Sequence, residues 1–400
     1  MNEDTKTRNR VIGISLMTGG AVLGDAMLFV VLPLYWKEFG LNAVWQIGVL
    51  LSINRFIRLP INPLVGMFYK HFQLRTGVIL ALGIAIITTA SYGLIQHFWW
   101  LVIMRALWGV GWSLLRLGGM LSIVSLTQDT NRGKFFGLYN GLWGLGSLFG
   151  MLCGGVFIEQ ASILMVALLF SIIGLALVPL AWIMIPLQLE QRVEHAPELA
   201  SARVLSPYLL LVLLTGGSVG LVIFGLFSST LSPLIGRIYT GEYEMWGLII
   251  GAATLAGMIQ AVRWGWEPFV APFFGKIIDA NRSPGYLLMF PLLLAGALFI
   301  LLANAHTISL LLVLLLIFQV SSTLLVTATD TFAANAAARS DRVKAMTLYT
   351  IFVDTGAALG PLISYFIMNI SSVSIVYYLA GGWLLLISSI WLLYFRAFNV

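Results

Sequence analysis

Residues 131–155 read NRGKFFGLYNGLWGLGSLFGMLCGG, and residues 341–365 read DRVKAMTLYTIFVDTGAALGPLISY. Each stretch is a basic loop that runs into a long apolar segment. At an offset of 210 residues Arg132 meets Arg342, Lys134 meets Lys344, Leu138 meets Leu348 and Tyr139 meets Tyr349. Gly146 then meets Gly356, and Gly150 meets Gly360. A second register at offset 209 lays Pro63 on Pro272 and Gly66 on Gly275. Isolated identities are common in Gly- and Leu-rich sequence. Two loop-anchored registers agreeing within one residue point to an internal repeat, and hence to a chain built of two similar halves.

The rest of the sequence sets the solvent of those halves. Of 400 residues, 60% are apolar and 10% charged, where soluble domains carry about 25% charged residues. This excludes a soluble enzyme, a disordered chain and a nucleic-acid binder. A membrane-crossing helix needs about 20 mostly apolar residues. Twelve runs meet that length, near 11–36, 43–69, 76–95, 98–126, 135–158, 162–186, 206–236, 246–274, 285–304, 307–335, 344–369 and 372–395. They are continuous rather than alternating, which argues for helices over barrel strands. The expected fold is an all-α membrane protein of twelve transmembrane helices in two pseudo-symmetric six-helix bundles. The one long polar stretch, 187–205 (LQLEQRVEHAPELASARVL), separates six runs from six. The predicted organisation is therefore an N-terminal half 1–186, a cytoplasmic linker 187–205 and a C-terminal half 206–400.

Loop charge orients the chain. Fifteen Lys and Arg fall in loops and tails on one side, against Lys37 and Arg237 on the other. The positive side is cytoplasmic, so both termini are expected there, and the plasma membrane is the expected location. This asymmetry also explains the net charge of +6 without a polyanionic partner. The start, MNEDTKTRNR, is too charged for a cleaved signal peptide and reads as a cytoplasmic tail. The single cysteine, Cys153, excludes an intramolecular disulfide.

Nine ionisable residues lie inside the runs: Asp25, Arg55, Arg58, Arg105, Arg116, Arg263, Glu267, Asp330 and Asp354. Each costs roughly 2.5–3.5 kcal/mol at the bilayer centre, so they must face water or one another. Asp25 and Asp354 are candidate proton carriers, since burial can bring a carboxyl into a titrating range; a structural ion pair with an arginine is the other reading of Asp25. Arg55, Arg58 and Arg116 are candidate substrate contacts, because guanidinium stays charged and grips carboxylate or phosphate in two places. Tyr139 and Tyr349, at matching places in the two halves, and Asn140 are candidate contacts of the same site. Gly146 and Gly150, with Gly356 and Gly360, let helices approach closely, either as static packing or as a moving seam between the halves. The histidines form no metal-ligand cluster, and no nucleotide-binding loop or hydrolase motif is present. No enzyme activity, catalytic residue, metal or cofactor is expected.

Four patterns carry a resemblance to the major facilitator superfamily over essentially the whole chain. After run 2 the family has G-x-L-x-D-R-x-G-R; here GMFYKHFQLR keeps Gly66, with Lys70 in place of Asp and Gln73 in place of Gly. The second copy, GKIIDANR, keeps Gly275, Asp279 and a nearby Arg282. Run 4 holds Arg105, Gly109 and Gly111 in the family's R-x-x-x-G-x-G. Run 5 matches the antiporter-associated G-x-x-x-G-P-x-x-G-G with Met151 for Pro, and run 11 keeps that proline as Pro361. The resemblance implies that runs 1, 4, 7 and 10 line a cavity. Asp25, Arg105 and Arg116 would then look into it, with Arg55, Arg58 and Asp354 at its sides. It also ties Arg105 to proton coupling, and Lys70, Asp279, Arg282 and Pro361 to gating. The implied function is secondary active transport by alternating access, as proton-coupled efflux of a drug or metabolite. The alternative is uptake or exchange of an organic anion, suggested by five intramembrane arginines against four acids. The expected partners are a small-molecule substrate, protons and the lipid bilayer, with the chain a monomer.

Overall fold

The computed structural model describes residues 3–127, 132–186, 206–241, 243–245, 248–280, 284–338 and 342–398, nearly all of them helical. In chain order these are α1 (Glu3–Tyr35), α2 (Trp45–Phe56), α3 (Arg58–His71), α4 (Leu74–Leu94), α5 (Phe98–Leu126), α6 (Arg132–Gln160) and α7 (Ile163–Met184). Then follow α8 (Pro207–Val219), a π-helical stretch Gly220–Phe227, α9 (Ser228–Ile238), β1 (Tyr243–Met245), β2 (Leu248–Ile250) and α10 (Ala252–Ala280). The chain finishes with α11 (Pro284–Ala303), α12 (Ile308–Ala338), α13 (Arg342–Ile370) and α14 (Val373–Phe398). The predicted linker 187–205 lies outside the described residues. Ser162 and Ser206 cap the helices that follow them, accepting from Met165 N at 3.3 Å and Leu209 N at 3.1 Å. These bonds satisfy amides that the first helical turn leaves unpaired.

Ten helical segments are long and apolar enough to cross a membrane among the described residues. Two of the twelve predicted runs differ, each for a local reason. Run 43–69 breaks at Ile57, between α2 and α3. Pro60 has no N–H for the Phe56 carbonyl and its ring crowds that oxygen, so α2 stops at Phe56. Within run 246–274, β2 stands where helix was expected and pairs with β1, with Tyr243 opposite Ile250 and Met245 opposite Leu248. Helix α10 begins only at Ala252, and Gln260, Arg263 and Glu267 make its interior too polar for a plain lipid span. By contrast α7 is apolar all round, and Met165, Ile172 and Ile183 are 62–67% exposed. That surface suits lipid rather than water.

The chain forms two compact units. The first comprises Met1–Asn42, Ile53–His195 and Gly241–Gly265, and the second Ala43–Ser52, Ala196–Thr240 and Trp266–Val400. In the first, α1 packs along α6, and α4 packs on α5 and α7. In the second, α13 packs along α8 and the π-helical stretch, and α11 packs on α12 and α14. The sequence repeat therefore reappears as a repeat of packing partners.

The glycine stripes make these contacts possible. A Cβ on Gly146 would fall on the backbone of Gly19, and one on Gly150 would lie 2.6 Å from the Leu23 carbonyl oxygen. A Cβ on Gly356 would meet the Gly217 carbonyl, and one on Gly360 would lie 2.5 Å from the Leu221 carbonyl oxygen. Of the two readings the sequence left open, the contacts correspond to close packing inside each unit, α6 on α1 and α13 on α8 and the π-helical stretch. The backbone atoms nearest these glycines all belong to their own unit.

A second symmetric pair of glycines holds the pieces that each unit takes from the opposite sequence half. Within the second unit, a Cβ on Gly48 of α2 would lie 2.7 Å from the Pro361 carbonyl oxygen. Within the first, a Cβ on Gly257 of α10 would lie 2.6 Å from the Met151 carbonyl oxygen. Gly48 and Gly257 are 209 residues apart, and Met151 and Pro361 are 210 apart. The departure from proline at Met151 leaves this approach intact, because a backbone carbonyl makes it. A proline elsewhere has a clear partner. Pro233 cannot bond the Ser229 carbonyl, and the Tyr365 hydroxyl donates to that oxygen at 2.5 Å instead.

Candidate functional site

Arg105 of α5 is 1% exposed, and its guanidinium is ion-paired with Asp25 of α1, whose side chain is 19% exposed. The same nitrogen, Nη1, donates to the Tyr92 hydroxyl of α4 at 3.2 Å. The Asn54 side-chain amide of α2 donates to the same Asp25 oxygen at 3.3 Å. Asp25, Asn54, Tyr92 and Arg105, from α1, α2, α4 and α5 and all within the first unit, thus meet around one ion pair. Gly109 is what lets α5 approach there, since a Cβ on it would meet Ile57 and the Asn54 carbonyl at the α2–α3 break. The cation is sealed while the acid keeps an open edge.

Arg105, Trp108, Trp112 and Arg116 recur at helical spacing along one face of α5. Arg116 lies about 16 Å along the axis from Arg105 at 1.5 Å per residue. Its guanidinium sits 5.9 Å from the ring centroids of both Trp112 and Trp143. Trp143 of α6 also donates its indole N–H to Asn140 Oδ1 at 3.1 Å and lies 6.1 Å from Trp264 of α10. Two predicted substrate contacts, Arg116 and Asn140, are thus brought together around Trp143.

Other predicted residues are placed elsewhere. Arg55 closes the last turn of α2, half-buried, with its guanidinium 5.7 Å from the Phe29 ring; Arg58 opens α3 beyond the break. Asp25 is held by Arg105 and Asn54. Tyr139, predicted to contact substrate, is 1% exposed, with its hydroxyl 3.4 Å from that of Thr18 and its ring beside Gly119. Tyr349 is 7% exposed and donates to Asp330 at 2.6 Å. Both tyrosines are thus packed between helices rather than presented on an open surface, because large rings fill the space left by facing glycines. Asp354 is half-buried on α13 of the second unit. Lys70 is exposed near the end of α3. Asp279 lies in α10, and Arg282 lies outside the described residues.

Sequence reading missed Glu159, at the end of α6. Its carboxylate accepts from Gly251 N at 2.6 Å, Ala253 N at 2.9 Å and Thr254 N at 3.2 Å, and from the Thr254 hydroxyl. It caps α10 from 92 residues away, so no local motif could announce it. An anion at a helix N-terminus bonds free amides and complements the helix dipole. Gln160 adds a bond to the Ile249 carbonyl at 2.8 Å. Glu159→Ala should therefore cost about 0.5–2 kcal/mol, the range for losing a cap. It should also speed amide exchange at residues 251–254 relative to the α6 core. Unchanged exchange there would show that the cap does not hold α10.

The Major Facilitator Superfamily profile matches residues 14–266 and 268–397. The synaptic vesicular amine transporter of Rattus norvegicus is 29% identical over 120 residues, covering 30% of this chain and 23% of that protein. The efflux pump aflT of Aspergillus parasiticus is 26% identical over 152 residues, covering 38% of this chain and 29% of that protein. The chain thus matches less than a third of the length of these relatives. Among solved structures, a bacterial homologue of the human lysosomal transporter Spinster, inward-facing and unoccupied, superposes with a TM-score of 0.72. That match has 15% identity and covers 98% of this chain and 96% of the other. The nucleoside transporter NupG superposes with a TM-score of 0.75 at 11% identity, covering 99% of this chain and all of the other.

Proposed function

Since the chain belongs to the Major Facilitator Superfamily, it is a multi-pass membrane transporter rather than an enzyme, and we propose that it exports a small molecule in exchange for protons. The carrying observation is the Asp25–Arg105 pair, a part-open acid on a sealed cation. Asp25 is the proton site. When Asp25 is ionised, Arg105 and Asn54 hold α1, α2 and α5 together. Protonation removes the charge that makes burial of Arg105 tolerable, so the cluster must rearrange, and alternation of access follows the proton. Asp354 is the candidate second proton site, and Arg55, Arg58, Arg116 and Asn140 are the substrate contacts. Tyr139 and Tyr349 brace the helices around them. Lys70, Asp279, Arg282 and Pro361 belong to the gates, while the glycine stripes give each bundle the stiffness to move as a body.

The reading includes twelve crossings, with α2–α3 as one broken span and α10 as a polar one, arranged as halves 1–186 and 206–400 about the linker. It places both termini in the cytoplasm on loop charge, in the plasma membrane, in a monomer. Efflux draws support from the relative named an efflux pump and from the glycine pattern of run 5.

The test is transport in proteoliposomes under an imposed pH gradient. Its substrate is one found by ligand-induced thermal stabilisation across organic anions, sugars and lipophilic cations. Asp25→Asn keeps the shape and an acceptor oxygen. It should abolish gradient-driven accumulation, by at least tenfold, while leaving exchange of labelled for unlabelled substrate in place. Full accumulation by the variant would remove Asp25 from coupling.

A further inference from the structure

The aromatic cluster beside Arg116 has a chemistry the ion pair does not use. Arg116 is exposed on a membrane-spanning helix. Among the described residues no carboxylate is ion-paired with it; its partners are the faces of Trp112 and Trp143. An arginine with its charge turned to lipid is costly, so this one faces water. Resting on indole faces orients the guanidinium and leaves its N–H edge free, and that edge matches a carboxylate in two places. Trp112, Trp143 and Trp264 are each only half-buried. They continue one another at 5.3 and 6.1 Å with interplanar angles of 64° and 58°. Three tilted indoles with partly open surfaces offer a wall on which a planar ring can stack. Asn140, exposed and oriented by the Trp143 indole N–H, leaves its amide N–H₂ as a further donor. All five side chains belong to the first unit.

We propose that this cluster is the recognition site for an aromatic carboxylate, with the ring stacked on the Trp143–Trp264 wall and the carboxylate held by the edge of Arg116. The proposal rests on the transport reading only for its purpose, and deepens it by naming the substrate class. Arg116 supplies the preference for an anion. The indoles supply affinity for any flat ring, charged or not.

Calorimetric binding to the full-length protein in detergent tests this with three probes: naphthalene-2-carboxylate, its neutral carboxamide, and cyclohexanecarboxylate. The expected order is carboxylate at least tenfold tighter than carboxamide, with cyclohexanecarboxylate also at least tenfold weaker. Arg116→Gln should bring carboxylate and carboxamide within about threefold of each other. Trp143→Leu should weaken both naphthyl probes fivefold or more and leave their ratio unchanged. Arg116→Lys, which keeps charge but not the stacked fork, should fall between parent and Gln, and it serves as the test if the Gln variant does not fold. Equal binding of carboxylate and carboxamide to the parent, or an anion preference surviving in Arg116→Gln, overturns the proposal. The parent order should also hold in Asp25→Asn. Accumulation lost in Asp25→Asn with binding retained would support the coupling reading, and accumulation retained would remove Asp25 from coupling; neither result touches this site.

Discussion

Arg105→Ala should lower the stability of the protein in mixed micelles by about 3–5 kcal/mol, the cost of removing one partner of a buried ion pair. Two effects act in the same direction. Asp25 loses its counter-charge and keeps Asn54 as its donor among the described residues. A fully enclosed arginine side chain also leaves a void among α1, α2, α4 and α5, and uncollapsed voids add to the loss. Adding Asp25→Asn to Arg105→Ala should recover part of it, because the stranded carboxylate is neutralised. The double-mutant cycle should give a coupling of about 0.5–3 kcal/mol. A single-variant loss below about 1 kcal/mol, or strict additivity, would mean that the pair is solvated and could not gate anything.

Gly356→Val and Gly146→Val should each destabilise by more than the usual 1–3 kcal/mol of an overpacked core, with transport lost in both. The excess follows from what the new atoms meet. At Gly356 the obstacle is the Gly217 carbonyl, and at Gly146 it is the Gly19 backbone. Neither is a side chain that can rotate away, so the helices themselves must separate. Gly66→Val is the control, since nothing lies within 4 Å of a Cβ there; it should be nearly neutral. Gly356→Ala should sit between, through its single methyl. Unfolding measured for the four variants decides the matter: near-neutral Gly146→Val and Gly356→Val would show that the stripes are not the close contacts of the two bundles.

Much of this molecule could be read from its residues because lipid leaves few choices. A backbone in hydrocarbon must bond to itself, so long apolar runs become helices wherever no local breaker intervenes. Run 98–126 coincides with α5 to the residue, and run 344–369 lies within α13. Where the helices depart from the apolar runs, the cause is local. Pro60 ended α2 early, and the polar interior of α10 follows a hairpin where helix was expected. The candidate site was legible as a set of charges but not as a set of pairs. Asp25 and Arg105 are 80 residues apart and meet in the tertiary structure, whereas Arg55 and Arg58 looked equally able to claim the acid. One local signal is legible in the sequence. The spacing of Arg105, Trp108, Trp112 and Arg116 places two cations and two indoles on one face of α5.

Composition and periodicity by themselves determined the solvent, the helices, the twofold repeat and the loop-charge asymmetry, because these depend on what each residue does in water or lipid over a few turns. Tertiary structure alone decided which acid holds which arginine. It also decided that the glycine stripes bind α6 to α1 and α13 to α8, and that Glu159 caps α10. Those outcomes depend on distances between atoms far apart in sequence. A buried charge is satisfied by whichever partner the packed backbone brings within reach, and the order of residues along a chain does not record that distance.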